Sequence, residues 1–262
     1  MRCTAVRAGD FYNHPMPSPA VLNLAAYRFV ALDDLEALRE RLLSQAQALA
    51  LKGSVLLAEE GINLFLAGAE ADARGFLSWL RGDARFADLQ AKESWSERPP
   101  FQRLRVKLKR EIIRMDHPTV RPVDARAPAV DAATLARWLD AGRCDAGRPL
   151  LMLDTRNGFE VDAGRFAGAI DWRLERFGEF PAALAAHRAE LAGKTVVSYC
   201  TGGIRCEKAA LLMREQGVEH VLQLDGGILQ YFQTVGARHY EGGCFVFDER
   251  GTLDADMQPA PA

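Results

Sequence analysis

A chain of 262 residues, 48% apolar and 26% charged, can bury a core, and its length fits two ordinary domains. Its net charge of −2 excludes a chain-wide attraction to nucleic acid, so DNA is not expected as a partner and any basic patch must be local. No stretch approaches the ~18 apolar residues of a membrane span, and the start, MRCTAVRAGDFYNHP, lacks an apolar signal core, which predicts a cytoplasmic protein with no membrane partner.

In chain order, Tyr27–Leu32 reads as a short strand. Asp33 is placed to cap a helix running to about Leu49, with Leu35, Leu38, Leu42 and Leu49 on one face. Ser54–Ala58 and Ile62–Ala67 are apolar strands separated by Glu59-Glu60-Gly61, a hairpin spacing with a turn glycine. Ala71–Leu80 has helical periodicity, and Phe101–Ile113 reads as a long last strand. The order β-α-β-β-α-β predicts a ferredoxin-like α+β domain over residues 1–115. Residues 116–130, DHPTVRPVDARAPAV, carry three prolines and few large apolar side chains, as a linker does.

Asp131 then opens a helix through Leu139. Leu150–Asp154, Thr195–Tyr199 and Val221–Leu224 are apolar strands, with helical segments near Pro181–Glu190 and Glu207–Glu215. This alternation predicts an α/β domain over 131–240, a parallel sheet flanked by helices. Residues 241–262 follow, and the tail after Asp248 is expected to be disordered.

The chemistry gathers at KTVVSY-CTGGIRCEKAALLMREQG. Cys200 follows a strand directly, then come Thr201, Gly202, Gly203, Ile204 and Arg205, with a helix beginning near Cys206. Sites in such sheets collect at the carboxyl ends of strands. Two glycines let the backbone curl and aim amides at a central atom, and the helix start and Arg205 add positive charge. All three favour a thiolate at Cys200. Arg205 is read as stabilising that thiolate and orienting substrate, not moving protons. Four residues separate Cys200 from Arg205, a cradle suited to sulfur chemistry and not to phosphoryl transfer. Cys206 is a candidate resolving thiol, with packing as its alternative. Cys3, Cys144 and Cys244 are read as inert. The histidines show no metal spacing, and Gly202-Gly203 and Gly226-Gly227 lack the G-x-G-x-x-G spacing of a dinucleotide site, so no metal site and no resident cofactor is evident.

CTGGIR resembles the active loop of the rhodanese superfamily. LDTRNGFEVDAGRFAGAI fits its Asp-x-Arg, Glu, Gly, Gly-Ala signature at Asp154, Arg156, Glu160, Gly164, Gly168 and Ala169, and LDGGILQY resembles its closing segment. That resemblance implies a persulfide on Cys200, with Asp154 and Arg156 as structural supports. GSVLLAEEGIN, FADLQAKESWSERPPFQRLRVKLKREII and GGCFVFDER are in turn similar to the oxygen-dependent tRNA uridine hydroxylases, which join a ferredoxin-like domain to a rhodanese domain. Some members continue into a cysteine-rich tail. Membership implies hydroxylation of wobble uridine to 5-hydroxyuridine, with tRNA as partner and molecular oxygen as co-substrate.

The residues themselves agree with an RNA substrate. Over Phe101–Lys109, Leu104, Val106 and Leu108 share one strand parity, while Arg103, Arg105, Lys107 and Lys109 share the other. Residues 98–114 carry seven basic side chains against Glu111 alone, a local charge of +6. Such a row repels itself unless a phosphate backbone covers it; a solvated edge strand is the alternative. Trp95 and Phe101 flank it and can stack on bases or pack in a core. Two other functions use the same loop: a sulfurtransferase passing persulfide sulfur from thiosulfate or a protein donor to an acceptor, and a redox- or sulfur-sensing RNA-binding module in which Cys206 closes onto Cys200.

Overall fold

The computed structural model describes residues 21–260; Cys3 and the rest of the amino-terminal segment lie outside the described residues. β1 (Val21–Phe29), α1 (Leu35–Ala48), β2 (Lys52–Ala58), β3 (Gly61–Ala69) and α2 (Glu70–Arg81) follow the expected order, and β4 (Ala91–Ser96) completes the motif. They form a sheet in the order β4-β1-β3-β2, antiparallel throughout. A fifth strand, β5 (Leu104–Leu108), adds to the far edge parallel to β2.

Four local expectations are corrected. The closing strand of the motif is Ala91–Ser96, not the basic segment. Its sequence AKESWS has no β-branched residue and so carries little strand signal. The basic strand ends at Leu108, because the Glu111 carboxylate accepts the amides of Met115 and Asp116 and turns the chain away. The first strand starts at Val21, and the following helix starts at Leu35 after Asp34, whose carboxylate binds Arg85 instead of capping the helix.

α1 buries Leu38, Leu42 and Ala46, and α2 buries Ala73, Phe76, Leu77 and Leu80, each on one helical stripe. Both pack on one sheet face over Leu22, Leu24, Val55, Leu57, Leu64, Leu66 and Val106. By strand alternation, Asn23, Tyr27, Ser54, Leu56, Asn63, Phe65 and Lys92 point to the other face, which no helix of this domain covers.

The second half contains β6 (Ala129–Val130), α3 (Ala132–Ala141), β7 (Leu150–Asp154), α4 (Gly158–Ala163), β8 (Gly164–Phe166), β9 (Ile170–Asp171), α5 (Phe180–His187), β10 (Thr195–Tyr199), α6 (Ile204–Glu215), β11 (Val221–Leu224) and α7 (Gly227–Val235). Its main sheet, β6-β11-β10-β7-β9, is parallel. Every residue of the central β10 is buried, with helices covering both faces. β12 (Tyr240–Gly242) pairs with β8, and β13 (Cys244–Phe245) pairs with β14 (Thr252–Leu253). Residues 249–260 are therefore ordered, contrary to expectation: Leu253 and Met257 insert into the second core. The 116–130 segment lies along the same domain, burying Val120 and Ala127.

The two halves are fastened at α6. Lys208 is 1% exposed, and its three ammonium protons meet Glu60 Oε1 at 2.9 Å, Glu111 Oε2 at 2.6 Å and the Ile113 carbonyl at 3.0 Å. Tyr27 Oη donates to Glu207 at 2.9 Å beside it. Burial pushes the Glu111 carboxyl up, but its bonds from Lys208 and from the Met115 and Asp116 amides outweigh this and hold it below the usual range. Its stabilisation is thus full at neutral pH and fades as pH falls through the carboxylate range. Replacing Lys208 by Met keeps the length but strands two carboxylates at the seam. A loss of about 3 kcal/mol is expected, read as a lower urea midpoint; an unchanged midpoint would show the seam is held without the charge.

Candidate active site

β10 delivers Cys200 to the end of the parallel sheet, and α6 begins at Ile204, two residues earlier than the sequence suggested. Cys200 is fully buried, and its sulfur accepts the Gly203 amide at 3.2 Å. Gly203 stands at φ 102°, where a side chain is strained and a Cβ would lie 3.0 Å from Tyr27 Oη. The start of α7 ties back the loop's outer carbonyls: Ile228 donates to Cys200 O at 2.9 Å and Leu229 to Thr201 O at 3.1 Å. Gly227 permits this approach, since a Cβ there would sit 2.4 Å from Cys200 O. With the carbonyls held outward, the amides turn toward the sulfur. Burial alone would raise the Cys200 thiol. The adjacent Cys206 thiol, the Arg205 charge and the amides of 205 and 206 overcome it and bring the pKa down to about 5.

Arg205 does not stand free. Its guanidinium grips Glu160 through two bonds of 2.5 and 2.7 Å, with both side chains buried. Glu160 is held in turn by the Asn157 amide at 3.1 Å. Arg156 forks onto Asp154 at 2.9 and 2.6 Å and donates to the carbonyls of Glu160 and Gly164. Asp154 and Arg156 thus fix the backbone that carries Glu160, and Glu160 fixes Arg205 beside the sulfur. The fork that was expected to orient a substrate is occupied within the protein. Cys206 is also fully buried, donates to Gly203 O at 2.9 Å and has its thiol pushed well up by burial. Cys244 is pushed up to about 12, also by burial.

The loop opens into a cleft of about 660 Å³ whose other wall is the helix-free face of the first sheet. Cys200, Thr201, Gly202, Ile204 and Arg205 meet there with Tyr27, Asn63, Phe65 and Lys92. Arg105 and Lys107 are exposed and paired in register with Ser54 and Leu56, so they extend the cleft-facing surface of the sheet to its edge. Arg103 and Lys109 are exposed at either end of β5. Phe101 lines the cleft, whereas Trp95 packs into the first core.

Sequence reasoning missed one cluster here. Phe159, Phe245 and Phe247 stack edge to face, with centroids 5.2 to 6.2 Å apart. Phe159 and Phe247 are 51% and 55% exposed, and Phe247 lies 6.0 Å from the Arg205 guanidinium on the cleft wall. FVFD was visible in the sequence, but nothing in it showed that the segment returns to the loop. Among the described residues, no three of His, Cys, Asp and Glu gather as a metal site.

Two family models match the chain: a UPF0176 acylphosphatase like domain over residues 21–112 and a Rhodanese-like domain over 131–234. A Bordetella petrii protein named tRNA uridine(34) hydroxylase is 66% identical over 93% of this chain and 97% of its own. Proteins of that name from Variovorax paradoxus and Delftia acidovorans are 64% and 61% identical, each over 92% of both chains. The chain belongs to the tRNA uridine(34) hydroxylase family. The family resemblance and the ferredoxin-like-plus-rhodanese architecture read from the sequence are both met by these matches. As a family member it carries the rhodanese loop complete from Cys200 to Arg205.

The electrostatics of the loop are testable without substrate. Iodoacetamide should label Cys200 with a midpoint near pH 5, following the thiolate. Glu160→Gln should destabilise the protein by about 3 kcal/mol, because it strands the buried Arg205 charge. Because the Gln oxygen still accepts from the guanidinium, Arg205 stays beside the sulfur, and the midpoint should remain as low or fall, since a nearby negative charge is removed. A midpoint near the ordinary thiol value would refute the loop assignment.

Proposed function

We propose that this protein hydroxylates the wobble uridine of tRNA to 5-hydroxyuridine, acting in the cytoplasm as an oxidoreductase with molecular oxygen as co-substrate. Cys200 is the group that engages the base, and Arg205 sustains its negative charge. One observation supports the reading beyond the relatives' names: the anionic sulfur faces a cleft whose sheet wall, at Ser54 and Leu56, continues directly into the exposed basic strand at Arg105 and Lys107. A sulfurtransferase acting on thiosulfate needs the loop alone. A cleft walled by a second domain, with Arg105 and Lys107 at its edge, suits a substrate that is large, anionic and carries a flat base. Arg103, Arg105, Lys107 and Lys109 serve as phosphate contacts, and Phe159 and Phe247 offer exposed faces for stacking of neighbouring bases. Asp154, Arg156 and Glu160 act through Arg205 and the loop backbone, as positioning residues. Thr201, Gly202, Gly203 and Ile204 form the cradle. Cys206, buried and with a raised thiol, fits packing better than rapid exchange.

Nucleoside mass spectrometry of tRNA from cells with and without the gene should show one oxygen lost from the wobble uridine when the gene is absent, and again with Cys200→Ser. Loss of a thio group instead would favour sulfur transfer. The basic strand has its own readout. Replacing Arg105 and Lys107 by Ala should weaken tRNA binding and lower the slope of log affinity against log salt by up to about 2. Unchanged binding and slope would make the strand a solvated edge.

A further inference from the structure

Lys92 stands on the cleft face of β4, 9% exposed, and lines the cleft with Cys200. Among the described residues, no carboxylate or carbonyl pairs with its ammonium, whereas the more deeply enclosed Lys208 has three acceptors. Its ammonium lies 5.7 Å from the Tyr27 ring centroid, and its stem packs against Gly226, where a Cβ would lie 3.4 Å from Lys92 Cε. Burying an ammonium without an acceptor is unfavourable, and a ligand in the cleft would supply what is missing. The charged and titratable groups around it are Cys200 and Cys206 on the loop and α6, Asp225 before α7, Arg126 from the 116–130 segment, and Tyr27 bonded to Glu207.

We propose that Lys92 binds a carbonyl oxygen of the target pyrimidine and stabilises the negative charge that forms there when Cys200 attacks the ring. The proposal rests on the hydroxylase reading above and assigns a catalytic residue to it. In the step concerned, a lone pair of the Cys200 sulfur forms an S–C6 bond. The C5=C6 pair shifts to C4–C5, and the C4=O pair moves onto O4, giving an enolate. No proton or oxidant enters, and expulsion of the thiolate reverses the step. C5 becomes electron-rich, which is where the hydroxyl must arrive. The ammonium meets a neutral carbonyl before attack and a full oxyanion after it, so its benefit is concentrated in the transition state. Phosphates have solvated cations at the sheet edge and do not require a buried one.

The test is single-turnover hydroxylation of a tRNA transcript by the full protein with Lys92→Met and Lys92→Ala. The maximal rate should fall about 100-fold or more, as on loss of an oxyanion donor, with apparent tRNA affinity within about threefold. Cys200 alkylation at pH 7 should change less than about twofold, because its thiol already titrates far lower. Ethylammonium should restore part of the rate to Lys92→Ala and none to Lys92→Met. Burial lowers the Lys92 pKa, so the wild-type rate should decline on the alkaline side as the ammonium is lost, and that decline should vanish in Lys92→Met. The proposal is overturned if the Met variant hydroxylates within about threefold of wild type, if the loss lies in affinity alone, or if Cys200 alkylation falls with activity. A wild-type protein that leaves tRNA uridine unmodified sinks the hydroxylase reading; an active wild type with an equally active Met variant sinks only the role of Lys92.

Discussion

An anion set among buried side chains must be surrounded by fixed positive field, and that requirement organises the second domain. The Cys200 sulfur is wholly buried yet titrates near 5. Its field comes from amides that face inward only because α7 takes the loop's carbonyls, and from an arginine that stays in place only because Glu160 grips it. Glu160 depends in turn on Arg156 and Asp154, both without measurable exposure beyond 1%. Residues scattered over Asp154–Gly227 thus share one electrostatic task. Loosening any of them is felt at the sulfur.

The first domain contributes a wall. In a ferredoxin-like sheet one face is occupied by the two helices, and the other needs a cover. Here the second domain supplies it but stands off enough to leave the cleft. The polar side chains on that face, Asn63 and Lys92 among them, are therefore buried without being in a core. Tyr27, Glu60 and Glu111 reach across to α6, the helix that begins at the active loop. The seam that joins the domains also positions the loop against its wall.

What the sequence disclosed follows from the range of each interaction. The Cys200 loop is local: a strand, two glycines, an arginine and a helix within a dozen residues, so its chemistry could be read directly. The alternation of Leu104, Val106 and Leu108 with basic residues was also legible, and β5 does expose Arg105 and Lys107. β4 was missed because its strand signal is poor and its cleft-facing residues are polar, a consequence of a tertiary surface that the sequence does not show. Lys208 was invisible for the same reason, with acceptors 97 and 148 residues away in the chain. The tail looked disordered by composition, yet Leu253 and Met257, the only large apolar residues late in that stretch, anchor it.

The segment carrying Phe245, Phe247 and Arg250 also returns to the first domain. Arg250 donates to Ser94 on β4 at 2.7 Å, and the Glu249 amide to the Pro100 carbonyl at 3.2 Å. A chain emerges from the ribosome amino end first, and its domains fold as units in that order. The ferredoxin-like sheet can be complete while the rhodanese loop is still being made, and the loop can form before residues 245–257 have appeared. The cleft is therefore finished last, by a latch that spans both domains. The sheet wall and the α6 seam precede that latch in the chain, so the last-made residues close only the remaining side of the cleft, the one lined by Val246, Phe247, Asp248 and Arg250.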